Sequence, residues 1–139
     1  LAGEIEVSLW ISSDALDTDF TAKLIDVYPP SADYPQGYTM NITDGIIRCR
    51  FRHGYEKKEL LTPNEIVEVK IKPFACANRF AKGHRIRLDI SSSNFPKYDF
   101  NTNTGKTIAG DRTWKIACNS LHFSSEHPSK IILPVINEA

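Results

Sequence analysis

The feature that most constrains the fold of this chain is a strict alternation of apolar and polar residues in short segments. Over residues 4–12, EIEVSLWIS, every second residue is apolar: Ile5, Val7, Leu9 and Ile11. A period of two predicts a β-strand with one buried face, because successive side chains of a strand point to opposite sides of the sheet. Trp10 falls on the polar face, where it either covers a neighbouring strand or contacts another domain or a ligand.

The same alternation recurs along the chain between turn residues. It predicts strands at 20–28, in two short pieces within 38–52 that divide near Asp44 and Gly45, at 65–72, from Arg85 onward, at 114–123 and at 130–136. About eight short strands, almost no helix and turn signals at short intervals are typical of a β-sandwich. The predicted fold class is therefore all-β, an antiparallel jelly-roll β-sandwich in one domain over residues 1–139.

A long polar loop follows the strand that begins at Arg85. Residues 91–105, SSSNFPKYDFNTNTG, show neither a helical nor a strand period. A loop of this length in a compact domain is usually functional or disordered. Its aromatic residues favour an ordered loop, because they provide apolar surface that can pack.

Composition excludes several classes of partner. The chain carries 17 Lys and Arg against 17 Asp and Glu, so its formal net charge is zero. Neither nucleic acid nor an anionic membrane is expected to bind a surface without excess positive charge. No apolar run reaches the length of a membrane span.

The three cysteines predict free thiols. Cys49, Cys76 and Cys118 lie far apart and form no CxxC or Cys/His ligand pattern. Cys49 alternates with Ile47 and Phe51, which predicts a buried thiol. An odd, unpatterned set of cysteines is typical of a reducing compartment, so a cytoplasmic location is expected.

Two clusters of charged residues leave alternatives open. Asp14, Asp17 and Asp19 could bind calcium, but they lack the EF-hand spacing, and capping of turns is the simpler interpretation. Three arginines alternate over residues 46–52, namely Arg48, Arg50 and Arg52. They predict an outward row, either a phosphate-binding stripe or, as zero net charge favours, a solvated or salt-bridged sheet face.

Motifs for catalysis or cofactor binding are absent from the sequence. There is no GxSxG nucleophile elbow and no glycine-rich phosphate loop. Ser91, Ser92 and Ser93 have no neighbouring histidine in the sequence that could activate them. We therefore expect no catalytic residue, no metal site and no cofactor in this chain.

Four strings together resemble one protein family. They are SSDALDTDFTAKLIDVYP at 12–29, DGIIRCRFR at 44–52, KGHRIRLDISSSNFPKYDFNTNTG at 82–105 and EHPSKIILPVI at 126–136. In order and over nearly the whole chain, they resemble the C-terminal jelly-roll domain of the Xaa-Pro dipeptidyl-peptidase and cocaine-esterase group of serine hydrolases. The string at 82–105 is the most specific of the four.

The resemblance implies a fold and a set of partners. The fold is that of the galactose-binding domain-like jelly rolls, and the partners are an α/β-hydrolase domain and a helical cap domain of the same parent chain. The parent is implied to hydrolyse acyl ester or peptide bonds through an acyl-enzyme, with its Ser-Asp-His triad outside this chain. The resemblance also implies that the first strand or two of the domain are missing, which would expose the edge of one sheet.

Two kinds of role follow for this domain. As an accessory domain it would pack on the catalytic domain and help to wall the substrate cleft. The interface candidates, chosen as aromatic anchors with polar neighbours, are Trp10, Asn94, Phe95, Tyr98, Phe100, Asn101 and Asn103. The alternatives are a carbohydrate-binding module, with stacking aromatics at Trp10, Tyr34, Tyr38 and Trp114, and a domain that forms homo-oligomers.

Overall fold

Nine β-strands and two single 3₁₀ turns make up the regular structure of residues 1–136, the part of the chain that the computed structural model describes. The strands are β1 (Ala2–Gly3), β2 (Glu6–Ser13), β3 (Asp19–Tyr28), β4 (Tyr38–Arg48), β5 (Val67–Ile71), β6 (Cys76–Ala77), β7 (Arg85–Ser91), β8 (Asn119–His122) and β9 (Lys130–Ile132). The 3₁₀ turns are Cys49–Phe51 and Ile108–Gly110.

The longer strands form two sheets that enclose one core. In the first sheet β2 is central, paired with β5 on one side and with β8 and β9 on the other. In the second sheet β3 is central, between β4 and β7. The short strands β1 and β6 pair with each other, and every pairing is antiparallel. The predicted all-β antiparallel sandwich is confirmed.

The alternation predicted in β2 defines one wall of the core. Val7, Leu9 and Ile11 of β2, and Ile5 just before the strand, are at most 2% exposed. They pack with Phe20, Ala22 and Leu24 of β3 and with Val69 and Ile71 of β5. Burial of apolar surface, which contributes about 25 cal/mol per Å², is the main stabilising contribution in such a core.

Cys49 is fully buried, as predicted, and packs in the same core. Burial raises the pKa of its thiol well above the ordinary range, and the negative charges of Asp17 and Asp19 act in the same direction. Cys76 is half-buried and Cys118 is exposed, and all three thiols are free.

The prediction of two short strands within 38–52 is wrong. The chain forms one strand, β4, with a β-bulge where Thr43 pairs with Leu24 and Asn41 pairs with Ile25. The extra residue, Ile42, lets the strand bend and continue past Gly45 without a turn. The strand then ends at Arg48, and the 3₁₀ turn that follows breaks the predicted alternation.

Two predicted strands near the end of the chain are shorter than expected. The segment 114–123 is a strand only at β8, and 130–136 only at β9. Backbone groups before β8 bond to loops instead: the Lys115 N–H donates to the carbonyl of Thr102, and the Cys118 N–H to the carboxylate of Asp14. The strand β9 ends two residues before Pro134. Within residues 1–136, no helix is long and apolar enough to span a membrane.

Candidate functional site

A buried ion pair connects the long loop to the sandwich. Asp17, in the turn before β3, is fully buried, and its Oδ2 accepts a 2.7 Å hydrogen bond from Nε of Arg50. Its Oδ1 accepts the backbone N–H of Arg50 at 2.8 Å. From Nη1, Arg50 also donates to the carbonyl of Lys106 at 2.9 Å. One charge pair thus links the turn before β3, the 3₁₀ turn after β4 and the segment after the long loop.

A second pair lies beside the first. Arg48 donates from Nε and Nη2 to the two carboxylate oxygens of Asp19, each at 3.0 Å, in the bidentate geometry that gives a strong ion pair. The side-chain amide of Asn101 donates to Asp17 at 2.6 Å and to Asp19 at 2.8 Å. Burial raises the pKa of Asp19 above its ordinary value, although the hydrogen bonds from Arg48 and Asn101 act in the opposite direction.

These contacts correct two predictions. Asn101 was an interface candidate, but only 8% of its surface is exposed, and its amide holds the loop to the two carboxylates from inside the domain. The outward row of three arginines is wrong at Arg50, which is buried because the strand ends at Arg48. All three arginines form salt bridges, since Arg52 also pairs with Glu59 at 2.9 Å, but only Arg48 lies in a sheet.

Asp14, Asp17 and Asp19, the aspartates considered for calcium binding, do not form one site. The carboxylate of Asp14 caps the backbone N–H of Cys118 at 2.8 Å, whereas Asp17 and Asp19 each bind an arginine. In residues 1–136 no three Asp, Glu, His or Cys side chains are grouped so that they could hold a metal ion.

The first half of the long loop folds back onto β4. The carbonyl of Asn94 accepts the N–H groups of Lys97 and Tyr98. Lys97 donates to Asp44 of β4 at 2.5 Å, and the Tyr98 hydroxyl donates to the same carboxylate at 3.5 Å. Burial acts to raise the pKa of Asp44, but the hydrogen bonds from Lys97 and Asn41 lower it below its ordinary value.

The second half of the loop is held by a left-handed residue and by the segment before β8. Asn103 has φ = 60°, a conformation that asparagine tolerates better than most residues. Its N–H donates to Oδ1 of Asn101 at 2.9 Å, and its side-chain amide donates to the carbonyl of Lys115 at 2.9 Å. Asn103 therefore ties the loop to Asn101 and to the backbone before β8.

A cluster of threonines around Asp111 orders the segment that follows. Thr104 and Thr102 donate their hydroxyls to Oδ2 of Asp111. Thr113 donates its N–H and its hydroxyl to Oδ1, at 3.0 and 2.6 Å. The hydrogen bonds from Thr104 and Thr113 hold the pKa of Asp111 well below its usual range.

The loop and the segment before β8 together present a continuous apolar surface. The Phe100 ring stacks on Trp114 with centroids 5.2 Å apart, and Phe95 meets Phe100 edge-on at 6.2 Å. Phe95 and Trp114 are 67% and 73% exposed, and Ile116, beside Trp114, is 94% exposed. We call these four residues, Phe95, Phe100, Trp114 and Ile116, the aromatic patch.

A groove of about 470 Å³ runs along the aromatic patch. Its polar wall includes Ser92, Ser93 and Asn119. The amide nitrogen of Asn119 donates to the Thr18 hydroxyl at 3.0 Å, but its buried Oδ1 has no hydrogen-bond partner among the described residues. The groove therefore combines apolar rings and hydroxyl groups on one surface.

The interface candidates separate into three groups in the structure. Phe95 and Phe100 belong to the aromatic patch, whereas Asn94 and Tyr98 are half-buried where the loop meets β4. Trp10 lies elsewhere, on the outer face of β2. Its ring packs edge-on against His127 at 4.9 Å, next to the pair formed by Ser12 and His122.

The four aromatics predicted to stack on sugars lie in three places. Trp114 is in the aromatic patch, and Trp10 is on β2. The rings of Tyr34 and Tyr38 contact each other with centroids 5.1 Å apart. Tyr38 borders a cleft of about 690 Å³ between the loop after β3 and the start of β7. Tyr28 and Arg85 also line this cleft.

Trp114 and Ile116 belong to the aromatic patch but are not among the interface candidates predicted from the sequence. Residues 114–123 were assigned to a strand, so the two side chains were not associated with the loop at 91–105. The available signal was the composition: Trp114 and Ile116 stand between polar and charged neighbours, Arg112, Thr113 and Lys115. Large apolar side chains with such neighbours often mark an interaction surface.

Both the sequence and the structure of this chain are similar to parts of known hydrolases. Residues 1–132 match the family described as the X-Pro dipeptidyl-peptidase C-terminal non-catalytic domain. A cocaine esterase from Rhodococcus sp. (strain MB1 Bresler) is 45% identical over 138 residues, which are 98% of this chain and 23% of the esterase.

Parts of larger solved hydrolases are similar in structure to this chain. An aminopeptidase from a marine sediment Thaumarchaeota archaeon superposes with a TM-score of 0.86 at 29% identity, over 94% of this chain and 22% of that one. An α-amino acid ester hydrolase gives 0.82 at 32% identity, over 92% and 22%. A CocE/NonD family hydrolase from Staphylococcus aureus, at 17% identity and a TM-score of 0.73 over 98% and 28%, shares the fold. The chain spans about a quarter of the length of these proteins.

Proposed function

This chain belongs to the X-Pro dipeptidyl-peptidase C-terminal non-catalytic domain family, and we propose that it is the accessory domain of a larger serine hydrolase and docks on the catalytic domain through the aromatic patch. The proteins to which it is similar include a cocaine esterase, an α-amino acid ester hydrolase and an aminopeptidase. We accordingly propose that the parent hydrolyses acyl ester or peptide bonds, with its catalytic serine in an α/β-hydrolase domain outside this chain.

The exposure of the aromatic patch is the observation that carries this proposal. Phe95, Phe100 and Trp114 form a chain of ring contacts on the surface of the domain, and Ile116 extends it. Large exposed apolar patches on soluble domains usually mark interaction sites. Aromatic side chains dominate the energetics of such sites when a partner covers them.

The way the patch is held also supports docking. Asn101 follows Phe100 directly and is fixed by both buried carboxylates, while Lys115 follows Trp114 and bonds to Thr102. The rings are thus displayed on a pre-ordered backbone, so that binding loses little conformational entropy.

We also propose that residues at the border of the aromatic patch form part of the wall of the substrate cleft. A cavity of about 190 Å³ opens beside the stacked rings of Phe100 and Trp114, with Asp99, Asp111 and Arg112 around it. If the catalytic domain covers the rings, this cavity lies at the junction of the two domains. Its charged groups would then face a substrate in the cleft.

The test uses the full-length parent with Phe100→Ala and Trp114→Ala combined. Loss of two interface anchors, about 2 kcal/mol or more each, should loosen the domain contact by well over tenfold. Limited proteolysis should therefore cut between the domains faster, and kcat/KM should fall. The control is Tyr55→Ala, which removes an 82% exposed aromatic ring away from the patch. If the double variant matches this control in both measurements, the patch is not the docking surface.

We propose carbohydrate binding as a second candidate, supported by the cleft that Tyr38 borders and by the ring of Tyr34 beside Tyr38. Paired exposed rings can stack on a sugar, and Gln36 and Arg85 in the same cleft can donate hydrogen bonds to hydroxyls. A glycan array with the intact chain should show binding that Tyr38→Ala removes and Trp114→Ala leaves unchanged. Absence of binding to every glycan would eliminate this candidate.

Light scattering of the parent tests whether it forms a homo-oligomer, which a monomeric mass would exclude.

A further inference from the structure

Two histidines and a tryptophan meet on the outer face of the first sheet. His122 lies directly opposite Trp10 in the pairing of β8 with β2, so the two side chains share a face. His127 follows in the segment that joins β8 to β9, and its ring packs edge-on against the ring of Trp10, with centroids 4.9 Å apart. The rings of His122 and His127 have centroids 6.2 Å apart. Both histidines are half-buried, so each is partly accessible to solvent.

The segment 123–129, which carries His127, leaves the sheet and returns to it in a fixed conformation. The backbone N–H of His127 donates to the carbonyl and to the hydroxyl of Ser124, at 3.2 and 3.1 Å. The Ser129 hydroxyl donates to the carbonyl of His122 at 2.7 Å and accepts the backbone N–H of Trp10 at 2.9 Å. Local backbone contacts therefore bring the two histidines together before any ligand binds.

The separation of the two imidazole rings is compatible with one shared metal ion. A metal–nitrogen bond is about 2.1 Å long, and the ring centre lies about 1.1 Å behind the nitrogen, so a bound ion lies about 3.2 Å from each centroid. Two rings on one ion then have centroids at most about 6.4 Å apart, and about 5.2 Å apart at a tetrahedral angle. The observed 6.2 Å lies within this limit. Rotation of the side chains supplies the remaining approach of about 1 Å.

Serine hydroxyls lie next to one nitrogen of each ring. Nε2 of His122 is 3.0 Å from Oγ of Ser12, and Nδ1 of His127 is 3.5 Å from Oγ of Ser124. A histidine that binds a metal commonly donates its other ring N–H to a neighbouring acceptor, which fixes the orientation of the ring. When these two nitrogens carry the protons, Nδ1 of His122 and Nε2 of His127 are available as ligands.

We propose that His122 and His127 bind one divalent late transition-metal ion, with water in its remaining coordination positions. Imidazole suits copper, nickel and zinc, whereas magnesium and calcium prefer oxygen ligands. Among these ions Cu²⁺ has the highest affinity for a given set of nitrogen ligands. Four residues stand between the two histidines, a spacing that also occurs between the paired histidines of structural zinc sites. The site lies on β2 and β8, and docking is assigned to the aromatic patch, so neither proposal depends on the other.

The fluorescence of Trp10 tests the site in the 139-residue chain. Trp114→Phe leaves Trp10 as the one tryptophan, and Cys76→Ser with Cys118→Ser removes the two thiols that are not buried. In this background chain Cu²⁺ should quench the emission and saturate at one equivalent, because the ring of His127 contacts Trp10. Mg²⁺ at the same concentration should leave the emission unchanged.

Histidine variants of the background chain make the test specific. His122→Gln and His127→Gln should each weaken Cu²⁺ binding by at least about tenfold, because one imidazole remains. Ser12→Ala should weaken it by about tenfold, since it removes the group that orients His122. The control is His53→Gln, which removes a 59% exposed histidine that faces Glu59 and should leave binding unchanged. Equal quenching of the background chain and of His127→Gln would overturn the proposal and identify the binding as adventitious.

Retention on immobilised Ni²⁺ is a second measurement, which does not require the short chain to fold. The untagged full-length parent should elute later than the same parent with His122→Gln and His127→Gln combined, because two neighbouring imidazoles chelate the immobilised ion. The parent with His53→Gln should elute with the unmodified parent. Elution of all three proteins together would overturn the proposal.

Discussion

Replacement of Asp17 by asparagine should be among the most damaging single changes in this domain. Asp17 is fully buried and accepts three hydrogen bonds, from the backbone and Nε of Arg50 and from the amide of Asn101. Asparagine keeps the size of the side chain but removes its charge, so the guanidinium of Arg50, itself 4% exposed, is left buried without a counter-ion.

The expected loss follows from this burial. Removal of one partner of a buried ion pair typically costs about 3–5 kcal/mol. A domain of this size is stable by about 5–15 kcal/mol, so a substantial fraction of the free energy of unfolding is at risk. With a urea m-value of about 2 kcal/mol per M, the midpoint should fall by about 1.5–2.5 M.

Urea unfolding followed by circular dichroism measures this loss, and two variants make it specific. Glu6→Gln breaks the exposed pair of Glu6 with Lys70 at 3.5 Å and should cost less than about 1 kcal/mol. Asp17→Asn combined with Arg50→Met removes the stranded charge and should recover part of the stability. The reasoning is refuted if Asp17→Asn lowers the free energy of unfolding no more than Glu6→Gln does. It is also refuted if adding Arg50→Met to Asp17→Asn lowers the free energy of unfolding by as much as a second, independent destabilising substitution would.

Three further predictions follow from the same structure. Gly105→Ala should destabilise the domain by about 1–3 kcal/mol in urea unfolding, because Gly105 has φ = 81° and a Cβ would lie 3.2 Å from Cβ of Leu16; a smaller loss would show that the loop can relax. In the folded chain, Cys118 should react rapidly with a thiol reagent, while Cys49 should react only after denaturant is added, because it is buried and its pKa is raised. The carboxyl carbon of Asp111, followed by NMR, should titrate below the ordinary range near 4, since hydroxyl and amide donors stabilise its charged form. Because its folded pKa is the lower one, its contribution to stability should be complete above that range and be lost as the pH falls toward the folded pKa; a midpoint near 4 would contradict the hydrogen bonds.

The sequence by itself determined the fold class and the buried face of the central strand β2. Ile5, Val7, Leu9 and Ile11 are buried as the alternation predicts, because a period of two is a local property of a strand and needs no knowledge of its partners. The four family-specific strings likewise identified the family, which the match over residues 1–132 shows.

Tertiary structure alone decided where charged and aromatic residues meet. Asp17 and Arg50 are 33 residues apart, and Asn101 is 84 residues from Asp17, so neither contact has a local signature. Trp114 joins Phe100 because the segment before β8 bonds to the loop and does not continue as a strand.

The same limit applies to the face of β7. Its alternation predicts a buried strand, and only the arrangement of the sheets shows that Ile86 is 53% exposed beside an open edge. The physical reason is common to all these cases. Periodicity reports which side of a strand is apolar, whereas its neighbours depend on how distant segments pair and pack.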